Sequence, residues 1–262
     1  MKPAPFAYHR PRSREEVDRL LAELGADAKV LAGGQSLIPI LNMRLAAPAH
    51  LVDLNFLPDE PAEPVLDGEE LVFGPLVRMR AAERSTVVAE RLPLLAEVLG
   101  YVAHPAIRSR GTVVGSIAHA DPAAELPALF ALLEGRVRVR SVGGTRMVGA
   151  GELFVAQLET TLAPGEWIDE VRLPARAGGA FAEFARRHGD YALCGVGALA
   201  DGDGVVLSFV GMGPVPRRLE VSDVRDAVDA LEPEDDIHAT AGYRRWLAER
   251  LGMRVAARVR EG

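Results

Sequence analysis

The chain has 262 residues, of which 48% are hydrophobic and 26% charged, as in ordinary soluble globular proteins large enough to bury a sizeable core. Its formal net charge of −7 argues against nucleic acid as a partner, because phosphate binding needs a concentrated basic surface. The single cysteine, Cys194, excludes an internal disulfide and an iron–sulfur cluster held by this chain alone.

The first quarter of the chain is predicted to form a helix, a strand, a short helix and a second strand. Ser13 opens a capping box, apolar residues follow at helical spacing, and Gly25 ends the helix. Residues 29–32 are predicted to be a short buried strand. A short helix is predicted to begin near Ser36, and the second strand covers residues 50–54.

The order of the later elements predicts an α+β fold. They follow a proline- and acid-rich link at 55–68. The predicted elements are a strand at 71–77, a long helix through Leu99, a strand with one wet face at 136–140, a strand pair near Cys194 and at 205–211, and helices at 221–231 and 238–251. A seam at 176–179 is predicted to separate a domain of residues 1–175, with lobes of about 1–56 and 57–175, from a smaller domain of residues 176–262.

Several features of the sequence bear on the location of the protein and on whether it binds a metal. The start of the chain lacks the apolar run of an export signal, and no stretch approaches the ~20 apolar residues that a membrane span needs. Together with the single cysteine, this predicts a cytoplasmic location and no membrane span. Cys194 is expected to be a small core residue rather than a nucleophile. The six histidines show no paired spacing for a metal, so we predict no protein-bound metal.

A glycine-rich segment follows the first predicted strand. Gly33 and Gly34 permit close approach of a ligand to the backbone, and successive N–H groups with the Ser36 hydroxyl form a nest for an anion. No Gly-Lys-Ser/Thr follows, so the segment is not the P-loop of a nucleotide hydrolase. An ordinary turn is the alternative interpretation.

A second segment carries the same kind of residues. An apolar run is interrupted here by the small residues Thr112, Gly115 and Ser116. Glu125 follows and can accept hydrogen bonds from ribose or ribityl hydroxyls. The alternative is a glycine-containing loop followed by a helix start. By contrast, the G-x-G-x-x-A pattern at 195–200 is expected to be small residues in a strand, because hairpin-turn residues follow it at 201–204.

Five segments together, in this order, resemble the flavin-binding subunits of the molybdenum hydroxylases, the family of xanthine dehydrogenase and aerobic carbon monoxide dehydrogenase. The likeness covers nearly the whole chain. Its segments are 32–37; 108–115 with Asp121-Pro122 and Glu125-Leu126-Pro127; 162–174; 184–192; and 236–245.

The resemblance implies a two-part FAD-binding domain followed by a smaller C-terminal α/β domain. The first segment would hold the cofactor's pyrophosphate, and the second its ribityl chain. Glu125 replaces the usual aspartate. The implied FAD contacts are Leu31, Ala32, Gly33, Gly34, Gln35, Ser36, Leu37, Ile38, Thr112, Gly115, Ser116 and Glu125, with Val102, Ile168 and Tyr191 near the isoalloxazine ring.

Two positions depart from the family's pattern. The second segment usually carries a glycine pair, and its first member is Val114 here. A β-branched residue disfavours positive φ, so the loop is expected to use an ordinary backbone angle there or to be distorted. A lysine that some relatives place near the flavin corresponds to Ala182, which puts direct reaction with NAD in doubt.

The resemblance also implies a division of labour. A large subunit with a molybdenum cofactor would oxidise the substrate. A small subunit with two [2Fe–2S] clusters would relay electrons to FAD here, in a dimer of heterotrimers. No residue of this chain would then be catalytic as an acid or base. The alternatives are a free-standing flavin reductase and a cofactor-free structural subunit, the latter motivated by Val114. A Gly34→Val variant is expected to block the pyrophosphate while leaving the fold largely intact.

Overall fold

The structure is a computed structural model that describes residues 2–261. Its first part is a three-stranded parallel sheet in the order β1–β3–β2, with a helix in each connection. The elements are β1 (Ala7–His9), α1 (Arg14–Leu24), β2 (Ala28–Leu31), α2 (Leu37–Asn42) and β3 (His50–Asp53). Because β2 and β3 are parallel neighbours, the segments that follow them emerge at the same edge of the sheet.

Helix α1 shows why this lobe folds as it does. The Ser13 hydroxyl accepts the Glu16 N–H at 3.1 Å, while the Glu16 carboxylate accepts the Arg12 N–H at 2.7 Å. The Ser13 half of the predicted capping box is thus confirmed, whereas the Glu16 carboxylate bonds the N–H of Arg12, one residue before the N-cap N–H that the motif would use. Gly25 ends the helix at φ 55, and the buried Val17 faces the core.

The second part is a five-stranded sheet in the order β4–β5–β10–β6–β7, with six helices inserted between β5 and β6. All four pairings are antiparallel. The elements are β4 (Val65–Asp67), β5 (Glu70–Phe73), α3 (Met79–Arg84), α4 (Thr86–Arg91), α5 (Pro93–Tyr101), α6 (Pro105–Arg108), α7 (Val113–His119), α8 (Glu125–Leu132), β6 (Arg136–Ser141), β7 (Gly144–Gly149), α9 (Ala150–Leu153), β8 (Phe154–Ala156), β9 (Glu159–Thr160) and β10 (Trp167–Pro174).

The third part is a four-stranded antiparallel meander covered by two helices. Along its first strand, Phe181 lies in the large core around α5 and α8, whereas Ala182 lies in the core under the last helix. The elements are β11 (Ala180–Phe184), β12 (Cys194–Asp201), β13 (Gly204–Val210), β14 (Arg218–Val221), α10 (Val224–Asp229) and α11 (Ala241–Glu261).

The predicted α+β class is confirmed. The domain boundary at 175/176 stays a prediction. It falls between β10 and β11, yet Phe181, Leu199 and Val206 belong to the hydrophobic core of the preceding part. Within residues 2–261, no helix combines the length and apolar character that crossing a bilayer requires.

Several predicted elements differ from those observed. The single long helix through Leu99 is three helices, because Ser85 caps the start of α4 and Pro93 starts α5. The strand predicted at 71–77 stops at Phe73, ahead of Gly74 and Pro75. The helix predicted at 238–251 begins at Ala241 and continues to Glu261. The strand interpretation of 195–200 is confirmed, and Gly202 at φ 54 turns the hairpin.

Candidate functional site

The first glycine-rich segment lies at the end of β2, where the chain turns into α2. Gly34 has φ +71, a conformation that glycine adopts readily and side-chain-bearing residues rarely do. The Gln35 amide closes the turn by donating to the Gly33 carbonyl at 3.0 Å. Among the described residues, the N–H groups of Gly34, Gln35 and Ser36 donate to no protein acceptor. The segment therefore presents a row of free donors, which suits an anion.

Gly33 brings this segment against the second one. A β-carbon added at Gly33 would lie 2.5 Å from the Arg110 carbonyl oxygen and 2.7 Å from the Gly111 α-carbon. The two backbones are thus in contact at this point, and only glycine leaves the space for it. The second segment is anchored in turn by α3, since the Met79 N–H donates to the Gly111 carbonyl at 2.9 Å.

A cavity of ≈ 500 Å³ opens where the two segments meet. Apolar side chains form part of its wall, and polar groups lie at the end of β3. Its lining residues are Tyr8, Leu31, Ala32, Gly33, Gly34, Gln35, Ile38, Pro39, Asp53, Asn55, Ile107 and Arg110. Six of the predicted contacts, Leu31 to Gln35 and Ile38, thus line one cavity, and its free backbone donors suit a phosphate group. The predicted contacts of the two segments that are not among its lining residues are Ser36, Leu37, Thr112, Gly115, Ser116 and Glu125.

The polar groups at the end of β3 were missed by the sequence analysis. Asp53 is 5% exposed and accepts a hydrogen bond from the Tyr8 hydroxyl. Partial burial and this hydrogen bond raise the pKa of Tyr8 to about 12, so the phenol stays protonated at neutral pH. Asn55 follows two residues later. The signal that would have found them is positional, because ligands of parallel sheets collect at the carboxyl ends of adjacent strands.

The second predicted segment forms the start of α7. The Thr112 hydroxyl caps the helix by accepting the Gly115 N–H at 3.0 Å. Thr112 is 2% exposed, while Gly115 and Ser116 are half-buried. Val114 lies in the first turn with an ordinary helical angle, so the loop is not distorted there. Of the two outcomes expected for Val114, the structure shows the ordinary backbone angle.

Glu125 starts α8 beneath the C-terminal sheet. It is 6% exposed, and burial raises its pKa to about 7, with a further rise from Asp121. Glu183 on β11 is its electrostatic neighbour, and burial followed by the charge of Glu125 raises the pKa of Glu183 to about 8. One buried oxygen of Glu183 has no hydrogen-bond partner among the described residues. Burial therefore raises the pKa values of two neighbouring carboxyl groups, one from each side of the predicted seam.

The remaining predicted contacts lie elsewhere. Val102 and Ile168 are 8% and 4% exposed, and both belong to the large hydrophobic core. Tyr191 is 64% exposed, and its hydroxyl lies near Asp121. The proximity of these three residues to a flavin ring stays a prediction. Ala182 faces the core under α11, so its neighbour Glu183 is the β11 residue that faces the site.

Two other predicted features concern reactivity. Cys194 is fully buried, and burial raises its thiol pKa to about 12, as suits a core residue. Within residues 2–261, no three His, Cys, Asp or Glu side chains are grouped as a metal site would require.

Comparison with known proteins gives a consistent result. The family model for the FAD binding domain in molybdopterin dehydrogenase matches residues 4–176. The alpha subunit of the 6-hydroxypseudooxynicotine dehydrogenase complex of Paenarthrobacter nicotinovorans is 38% identical, over 93% of this chain and 90% of that protein. The carbon monoxide dehydrogenase medium chain of Hydrogenophaga pseudoflava is 34% identical, over 95% and 94%. The quinoline 2-oxidoreductase structure from Pseudomonas putida 86 matches with a TM-score of 0.91 at 33% identity, over 100% of this chain and 99% of that one.

Proposed function

The chain belongs to the FAD-binding domain family of the molybdopterin dehydrogenases, and from this premise we propose that it is the electron-transfer subunit of a molybdenum-containing hydroxylase. FAD is its cofactor. When bound, FAD supplies the redox chemistry that connects one-electron iron–sulfur donors in a partner with an external acceptor such as NAD, a quinone or oxygen.

The contact between Gly33 and the backbone of 110–111 carries this proposal. It joins two segments that lie almost eighty positions apart in the sequence into the walls of one cavity. The free N–H groups of Gly34 to Ser36 suit the two negative charges of a pyrophosphate. No metal ligand is needed for that task, which fits a cofactor that is held rather than hydrolysed.

The chain's own residues bind, orient and protect the cofactor. The first segment holds the pyrophosphate, and Thr112 and Ser116 hold the chain beyond it. Burial raises the pKa of Glu125 to about 7, so near neutral pH it populates both a protonated form that can donate a hydrogen bond to a cofactor hydroxyl and an ionised form that can only accept one. The C-terminal sheet closes this region, since the Gly211 N–H donates to the Pro122 carbonyl at 2.9 Å.

The partners follow from the same family membership. Relatives are described as medium chains or subunits of dehydrogenase complexes. We infer a large subunit with the molybdenum cofactor and a small subunit with two [2Fe–2S] clusters, arranged as a dimer of heterotrimers. The single cysteine supports this division, because clusters need several thiolates and must be held elsewhere.

The first test is the absorbance spectrum of the purified chain, with the acid-released cofactor identified by chromatography. Stoichiometric FAD is expected, either as purified or after incubation with FAD. A tagged chain isolated from its source cells should then bring molybdenum and iron with it in fixed ratio to FAD.

The same preparations separate the alternatives. A free-standing flavin reductase would oxidise a reduced nicotinamide without any partner, whereas the proposed subunit would do so poorly. A cofactor-free structural subunit would purify colourless and gain no flavin from added FAD. Either result would overturn the proposed function.

A further inference from the structure

Asn55 holds the first segment from below. It lies in the 3-10 turn directly after β3, and its amide donates to the Ala32 carbonyl at 2.8 Å. The same amide group also donates to the Asp53 carboxylate. That carboxylate accepts the Asn55 backbone N–H as well, at 2.9 Å. Both amide hydrogens of Asn55 are thereby used inside the lobe, and only its carbonyl oxygen is left to accept.

Arg78 uses that oxygen and reaches the second segment at the same time. One guanidinium nitrogen donates to the Asn55 side-chain oxygen, and the other donates to the Arg110 carbonyl at 2.6 Å. The rigid fork of arginine can span two acceptors in this way, which a lysine ammonium cannot. Burial, followed by the charge of Arg110, lowers the pKa of Arg78, and the nearby Asp53 partly offsets this.

These contacts close a ring. Ala32 is bonded to Asn55, Asn55 to Arg78, and Arg78 to the Arg110 carbonyl. That carbonyl is the atom against which Gly33 lies. Two kinds of contact thus fix the relative position of the two segments. One is the backbone contact at Gly33, and the other is the set of side-chain hydrogen bonds through Asn55 and Arg78.

We propose that Asn55 and Arg78 form a loop latch that holds the two FAD-binding segments in register, in which Arg78 is a positioning residue and Asn55, which also lines the cavity, joins it to the first segment. This inference rests on the proposed function, because it takes the pyrophosphate to lie between those segments. Arg78 is absent from the cavity lining, so it acts through Asn55 and the Arg110 carbonyl rather than by contact with the cofactor.

The latch is tested by FAD titration of the full chain, freed of cofactor, with Arg78→Met, Arg78→Lys, Asn55→Ala and the Arg78→Met/Asn55→Ala double variant. Loss of one hydrogen bond to a charged group corresponds to about a tenfold change in an equilibrium constant. We expect Arg78→Met to weaken FAD binding by about tenfold or more and Arg78→Lys to recover part of that loss. Because the two residues act together, the double variant should bind no more weakly than the worse single variant.

Arg84→Met is the matched control, since Arg84 is an exposed arginine at the end of α3, the helix that begins directly after Arg78. It should leave FAD affinity unchanged. The visible circular dichroism of bound FAD provides a readout that general destabilisation does not move, and Arg78→Met should alter it at saturating FAD.

Three results would overturn the latch while leaving the proposed function intact. These are wild-type affinity and dichroism in Arg78→Met, an equal loss in Arg84→Met, or fully multiplicative losses in the double variant. Failure of the wild-type chain to bind FAD would instead overturn the proposed function, and the latch with it.

Discussion

Gly33→Ala perturbs the contact between the two FAD-binding segments more directly than any other single change. The new β-carbon would meet the Arg110 carbonyl oxygen at 2.5 Å, the Gly111 α-carbon at 2.7 Å and the Arg110 carbonyl carbon at 3.0 Å. All three atoms belong to the backbone, so no side-chain rotation relieves the collision. The angle φ at Gly33 is not positive, and alanine is therefore excluded by space rather than by conformation.

The size of the effect follows from these distances. Ordinary contact begins at 3.4 Å, so the segments must separate by about 1 Å (3.4 − 2.5 = 0.9 Å). Overpacking of this kind costs about 1–3 kcal/mol of folding free energy. A displacement of that size would also carry an N–H donor of either segment out of hydrogen-bonding distance of a phosphate oxygen held between them. Each charge-assisted hydrogen bond lost weakens FAD binding by roughly tenfold to a hundredfold.

The assay is FAD titration of the cofactor-free protein by flavin fluorescence, with urea unfolding measured in parallel. Gly149→Ala is the matched control, since Gly149 has φ −79 and an added β-carbon would meet nothing within 4 Å. The control should retain FAD affinity, and its loss of stability should not exceed about 1 kcal/mol, since Gly149 occupies the N-cap of the short helix α9. If Gly33→Ala bound FAD within about twofold of wild type, a factor well below one lost hydrogen bond, the placement of the cofactor between these segments would be wrong.

Three further predictions concern stability. Asp169 is fully buried and accepts three hydrogen bonds from two partly exposed arginines, so Asp169→Asn should lower the urea-unfolding free energy by about 2–4 kcal/mol; a loss below about 1 kcal/mol would contradict this. Glu183 keeps its proton up to pH of about 8 when folded but ionises near its ordinary 4.5 when unfolded, so its contribution to stability declines as pH rises between those values. Glu183→Gln should flatten urea midpoints measured from pH 5 to 9, and an unchanged slope would refute the assignment. Gly100→Ala adds a β-carbon into open space within helix α5 and should stabilise the protein by about 0.5–1 kcal/mol, measured by the same unfolding.

Much of the fold was predictable because local signals agreed with the tertiary outcome. Three elements are marked by residues within their own segments. They are the helix that begins at the Ser13 cap, the alternating strand at 136–140 and the hairpin at 201–204. The strands that were not predicted are β1, β4, β7, β8, β9, β10, β11 and β14. Strands β1 and β4 have three residues each and no buried alternation to mark them, whereas β10 is buried along most of its length and so shows no alternation either. Their place in a sheet is decided by a neighbouring strand distant in sequence, which no local pattern contains.

The site was predictable only in its local parts. The glycine pattern located the first segment. The sequence does not show, however, that its two glycines are required for different physical reasons. Gly33 is required by the backbone of 110–111, whereas Gly34 is required by its own φ of +71. An added β-carbon at Gly34 would lie 3.1 Å from side-chain atoms of Leu31 and Ile38. Gly34→Val therefore strains the backbone as well as blocking the pyrophosphate, and the expectation that it leaves the fold largely intact stays a prediction.

Val114 shows how the local structure decides between two expectations that the sequence left open, an ordinary backbone angle or a distorted loop. Its departure from a glycine pair implied distortion only if the position lay in a loop that needs positive φ. The segment is instead the first turn of α7, where Val114 points into the large hydrophobic core and is 4% exposed. The close fit lies one residue later, since a β-carbon at Gly115 would meet the Thr112 hydroxyl oxygen at 2.7 Å. The observation that motivated a cofactor-free structural subunit is thus explained by packing, and the glycine that the helix cap requires is present.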